Sequence, residues 1–119
     1  MIGPSFSLNG KILPLSVAKI SIDNVEFAYG YGVYEIIKVR NRCLFFPERH
    51  IERLLYSTRI IEMNVPFSAE EIQHFLTELM AAIPDESYNI KMLLIGEQLY
   101  IFATAPLYPP KKLYQQGAA

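Results

Sequence analysis

The chain has 119 residues, about half of them apolar, with 8 tyrosines and 7 phenylalanines. That is one domain with enough apolar mass for a real core, which excludes a disordered tract. A net charge of -1 and a pI near 6.1 give no electrostatic case for nucleic acid or for an anionic membrane. The single cysteine, Cys43, excludes an internal disulfide framework and fits a reducing cytoplasm. With only His50 and His74 beside it, the spacing of a metal centre is missing. The N-terminus has no basic stretch followed by an apolar one, and no apolar run approaches the roughly 18 residues of a membrane span. A soluble cytoplasmic protein is expected, with no metal.

In chain order, Ser7-Leu8-Asn9-Gly10-Lys11-Ile12-Leu13 is a hairpin signal, because Asn-Gly favours the positive dihedrals of a tight turn. Ile20, Ile22 and Val25 point to extended chain. Val33 to Val39 is rich in β-branched and aromatic residues. Arg40-Asn41-Arg42 and Cys43-Leu44-Phe45-Phe46 then form a second hairpin. Pro47 suits the first turn of a helix and Glu48 complements its dipole, which predicts helix over 47–63. Ser68-Ala69-Glu70-Glu71 is a capping box opening a second helix to Ile83, with Ile72, Phe75, Leu76, Leu79 and Met80 on one stripe. Two strands follow, over 88–95 and 99–105, with Gly96-Glu97-Gln98 between them as a third turn. Strands, two helices, then strands do not make the alternation of a doubly wound fold. The order predicts an α+β domain, an antiparallel sheet with two helices packed on one face. From Tyr108 the pattern stops at Pro109-Pro110-Lys111-Lys112. A domain over 1–107 followed by a linker over 108–119 is expected.

Two blocks carry candidate chemistry. On the first helix, at about 100° per residue, His50, Arg53 and Ser57 fall within about 60° of one another. Leu54, Thr58, Ile61 and Ile51 continue from that strip to the apolar side. Arg53 is expected at the border of the buried face, with Arg49 and Arg59 pointing outward. A guanidinium there needs an anionic partner. That partner is either a ligand or an internal carboxylate, Glu35 or Glu62. Upstream, Tyr29-Gly30-Tyr31-Gly32-Val33-Tyr34-Glu35 joins two conformationally free glycines to flat aromatic surface. It lacks the spacing of a phosphate-cradling P-loop.

Together these blocks resemble the N-terminal, small domain of the class IV (fold-type IV) pyridoxal-phosphate enzymes. Branched-chain aminotransferases, D-amino-acid aminotransferase and aminodeoxychorismate lyase belong to that group. The matching pieces are Asn9-Gly10-Lys11, Tyr29-Gly30 through Glu35 with Ile37-Lys38-Val39 after it, Phe46, and His50, Arg53, Leu54 and Ser57. The resemblance implies pyridoxal 5'-phosphate as cofactor, held between this domain and a C-terminal one in a homodimer. Arg53 then grips the cofactor phosphate, and Tyr34 and Tyr29 line the substrate side. His50 and Ser57 support the helix. The implied reaction moves an amino group between an amino acid and a 2-oxo acid.

The family's covalent lysine and the glutamate beside the pyridine nitrogen belong to the second domain. No lysine of this chain matches the first, so no catalytic residue is assigned and no turnover is expected from this chain alone. Gly96-Glu97-Gln98 also lacks the arginine-bearing loop that captures substrate carboxylate in D-amino-acid aminotransferase. Two alternatives stay open: a lyase of the aminodeoxychorismate type, and a non-catalytic, self-associating α+β domain.

Overall fold

The computed structural model describes residues 1–19 and 32–106. Tyr29, Gly30 and Tyr31, the extended chain expected at Ile20, Ile22 and Val25, and the linker expected over 108–119 lie outside them. The described elements are β1 (Ile2–Leu8), β2 (Lys11–Pro14), a short 3-10 turn (Leu15–Val17), β3 (Gly32–Arg40), β4 (Cys43–Leu44), α1 (Pro47–Ile60), α2 (Ala69–Ala82), β5 (Tyr88–Ile95) and β6 (Gln98–Thr104). The six strands form one antiparallel sheet in the order β2-β1-β6-β5-β3-β4, and the helices cover one face. The α+β expectation is met.

Asn9 and Gly10 close the first hairpin with φ of 54° and 87°. Asn9 also ties that turn to β6. Its side-chain oxygen accepts from the Leu99 amide at 2.8 Å, and its own amide donates to the Leu99 carbonyl at 2.9 Å. The second hairpin turns at Asn41 and Arg42, with φ of 53° and 63°. Its far strand is only two residues long: the Phe45 amide still donates to the Lys38 carbonyl at 2.9 Å, and the chain turns at Phe46, φ 53°, to start α1. The third turn is tighter than expected: Gln98 belongs to β6 and pairs with Ile95, leaving Gly96 and Glu97 alone in the loop.

α1 ends three residues before the expected position. Glu62 is left-handed at φ 57°, the Met63 amide reaches back to the Thr58 carbonyl at 2.8 Å, and the Glu62 amide reaches the Arg59 carbonyl at 3.2 Å. That pair of bonds is a Schellman stop, formed here without the usual glycine. α2 has the expected capping box, with Ser68 accepting from the Glu71 amide and the Glu71 carboxylate accepting from the Ser68 amide. Its stripe buries Ile72, Leu76 and Leu79 completely, against Ile37, Val39, Ile90, Met92, Leu94, Leu99, Ile101 and Ala103 of the strands.

Candidate functional site

Alternation along β3 decides where its side chains go. Ile37 and Val39 are buried under the helices, so Glu35 shares their face, whereas Tyr34, Ile36 and Lys38 face the other way. Glu35 is the only carboxylate carried by any described strand. Its side chain is 11% exposed, so water alone does not satisfy it. α1 supplies the partners from two residues one turn apart. His50 Nδ1 lies 2.8 Å from Glu35 Oε1, and Arg53 Nη2 lies 3.0 Å from the same oxygen and 3.3 Å from Oε2. Of the two internal carboxylates the sequence left open for Arg53, the fold brings Glu35.

The Arg53 side chain is nonetheless 69% exposed, more open than a residue at the border of the buried face. Among the described residues Nε and Nη1 have no partner; only Nη2 is engaged by Glu35. The fork is anchored at one tip and open at the others, the geometry in which a guanidinium takes a phosphate or carboxylate from solvent. An ion pair this exposed contributes at most about 1 kcal/mol to stability, so the arrangement orients Arg53 more than it holds the fold. His50 is half-buried against Glu35 and is a bonded member of the cluster.

Tyr34 stands on the opposite face, 59% exposed. Register places Leu93 and then Tyr100 beside it, with Ile36, Lys91 and Phe102 in the next row. Lys91 Nζ lies 4.6 Å from the centroid of the Tyr34 ring, a cation–π contact. An apolar hollow of about 180 Å³ adjoins the same patch, walled by Phe6, Leu93, Tyr100 and Phe102. The sequence reading missed Lys91. Its signal was present, a lysine between Ile90 and Met92 on the solvent side of a buried strand, but only the register brings it to Tyr34. Tyr34 and Arg53 thus lie on opposite faces of the sheet. Tyr29 lies outside the described residues.

The larger groove, about 640 Å³ between α1 and α2, is rimmed by Glu48, Glu52 and Glu70 against the one cation Arg59. That charge balance repels phosphate. Among the described residues no three His, Cys, Asp or Glu side chains are grouped to hold a metal, and no helix is long and apolar enough to cross a membrane.

Comparison with known proteins converges on one group. The family model for amino-transferase class IV matches residues 32–117. The D-alanine aminotransferase of Bacillus licheniformis is 35% identical over 72 residues, 60% of this chain and 25% of that protein. The branched-chain amino acid aminotransferase of Escherichia coli superposes with a TM-score of 0.82 at 19% identity, covering 88% of this chain and 42% of the other. The branched-chain amino acid aminotransferase of Thermobaculum terrenum, solved in its PLP holo form, gives 0.75 at 21% identity, covering 89% and 41%. At those identities the structural likeness speaks for the fold. The chain spans about a quarter of the length of the curated relative and about two fifths of the solved chains.

Proposed function

The chain belongs to the class IV amino-transferases, and from that premise we propose that residues 1–107 form the small domain of a pyridoxal-phosphate-dependent aminotransferase. The observation that carries this reading is the Arg53 guanidinium, held at one tip by Glu35 and, among the described residues, open at the others. Arg53 binds the cofactor phosphate through its free donors. Each charge-assisted hydrogen bond of that kind contributes about 1.5–3 kcal/mol. Glu35 and His50 hold the arginine in place. Tyr34, joined by Tyr29, lines the substrate side, and Lys91 adds a cation beside Tyr34 that suits carboxylate-bearing substrates. When bound, pyridoxal phosphate supplies the electron sink that lets an amino group pass between an amino acid and a 2-oxo acid.

We assign no covalent lysine within these residues, so the 119-residue chain alone gives no turnover. The working assembly is a homodimer. The exposed, free thiol of Cys43 supports a cytoplasmic setting. The family and its aminotransferase relatives favour amino transfer over the lyase reaction and over a purely non-catalytic domain.

The test is amino transfer from D-alanine or L-valine to a 2-oxo acid in the presence of pyridoxal phosphate. The chain and a product of the same gene extending past residue 119 are compared. Transfer by the longer product and none by the chain supports the reading. Release of 4-aminobenzoate and pyruvate from aminodeoxychorismate would replace it with the lyase. Neither activity would refute it.

A further inference from the structure

Taking the phosphate-binding reading of Arg53 as its base, we propose that Glu35 is a positioning residue for Arg53 and that the charge on His50 sets how strongly the Arg53 guanidinium holds a tetrahedral dianion. One carboxylate oxygen, Glu35 Oε1, is shared between His50 Nδ1 at 2.8 Å and Arg53 Nη2 at 3.0 Å. The carboxylate is 11% exposed and is the only acid on a described strand, and among the described residues its charge is answered by His50 and Arg53. With His50 neutral, the charges of Glu35 and Arg53 cancel, and an arriving anion meets an arginine whose field is largely consumed by its neighbour. With His50 protonated, Glu35 has two cationic partners and the cluster carries one positive charge in excess. That charge lies within one helical turn of the open guanidinium donors, and the anion feels it.

Among the described residues nothing else close to His50 offsets this. From β3 the group facing it is Glu35, and on α1 its charged partner in the cluster is Arg53. α2 packs against α1 but pairs its own His74 with its own Glu78, and brings no carboxylate into ion-pair distance of His50 among the described residues. Lys38 of β3 lies on the far face of the sheet. Histidine is also the side chain whose charge changes most readily near neutral pH. The site is therefore an anion site whose affinity rises on acidification.

Sulfate tests this directly, because its charge stays constant where a phosphate ester's does not. Sulfate is titrated into the full chain at about pH 5.5 and about pH 8.5, bracketing histidine titration, and the Arg53 Nε–H resonance is followed. The expected affinity is about threefold to tenfold higher in acid, for one added unit charge partly screened by solvent. His50→Gln retains an N–H donor for Glu35 without the charge. It binds at both pH values as the unaltered chain does in alkali. Arg49→Gln, a neighbour on α1 whose guanidinium lies 6.0 Å over Phe46, retains the full pH dependence. A pH-independent affinity, or a rise that survives His50→Gln, overturns the inference and leaves Arg53 an anion ligand. No sulfate response at Arg53 at either pH overturns the phosphate reading itself, and the inference with it.

Discussion

The face of the sheet beneath the helices and the face turned away from them are made of alternate residues of the same strands. Under α1 and α2 the strands present Ile37, Val39, Ile90, Met92, Leu94, Leu99, Ile101 and Ala103, all fully buried, and a single acid, Glu35. The other face presents Tyr34 and Ile36, each roughly half exposed, with Leu93, Tyr100 and Phe102, and with Lys38 and Lys91 but no acid from the described strands. The covered face is a core that stabilises the domain. The open face is apolar, aromatic and cationic, a surface suited to anionic organic ligands. The charged cluster on the covered side, Glu35 with His50 and Arg53, lies where α1 meets β3 and exposes its arginine.

The sharpest way to break this contrast is to truncate one aliphatic residue on each side. Leu76→Ala, at a fully buried position of α2, is expected to cost about 2–5 kcal/mol of unfolding free energy. Ile36→Ala, 47% exposed on the open face, should cost less than about 1 kcal/mol. Denaturant unfolding of both reads the difference. Equal losses would mean that the open face is also core.

Next in size is Gly10→Ala. Gly10 sits at φ 87°, and an added Cβ would run into the Phe75 ring of α2. A loss of about 1–3 kcal/mol is expected, from dihedral strain and from displacement of the ring. A silent substitution would show that the first hairpin is not seated on α2.

The smallest effect belongs to Tyr88. Its side chain is fully buried on the helix face and its hydroxyl has no partner among the described residues. Burial raises its pKa above the ordinary tyrosine value; Arg42 opposes the shift and Asp85 adds to it. The folded state thus retains the phenolic proton to higher pH than the unfolded state. The group's contribution is intact below about pH 10 and is lost as pH rises beyond that. Tyr88→Phe should leave neutral-pH stability unchanged or raise it by up to about 1 kcal/mol, and should blunt the loss in alkali. Melting at pH 7 and at about pH 10.5 checks both.

Much of this architecture was legible because it is written locally. Ser68 and Glu71 announce α2, Pro47 announces α1, and Asn9-Gly10 announces the first turn, each through a backbone rule acting over a few neighbouring residues. What escaped either lacks a residue-type signal or is long-range. α1 stops at Ile60 because Glu62 adopts a left-handed dihedral without being glycine. The C-terminal end of α2 is capped by Arg42 from a distant hairpin, donating to the carbonyls of Met80 at 3.1 Å and Ile83 at 2.9 Å. Arg42 holds a positive φ in the same turn, a conformation stabilised by contacts its own neighbours in sequence do not reveal. The site divides in the same way. Periodicity alone puts Arg53 on the correct helix and leaves two internal carboxylates, Glu35 and Glu62, open to it. The choice of Glu35, and the approach of Lys91 to Tyr34, required the register of β3 and β5 and the packing of α1 on β3.

The central claim is that Arg53 meets the phosphate of pyridoxal phosphate. The most direct measurement compares the affinity of the full chain for pyridoxal phosphate and for pyridoxal, which lacks the phosphate, before and after Arg53→Ala. Loss of one or more charge-assisted bonds predicts pyridoxal phosphate weakened about 10-fold or more, with pyridoxal unchanged. Equal affinities for pyridoxal phosphate with and without the arginine would contradict the account and leave Arg53 as the ion-pair partner of Glu35 alone.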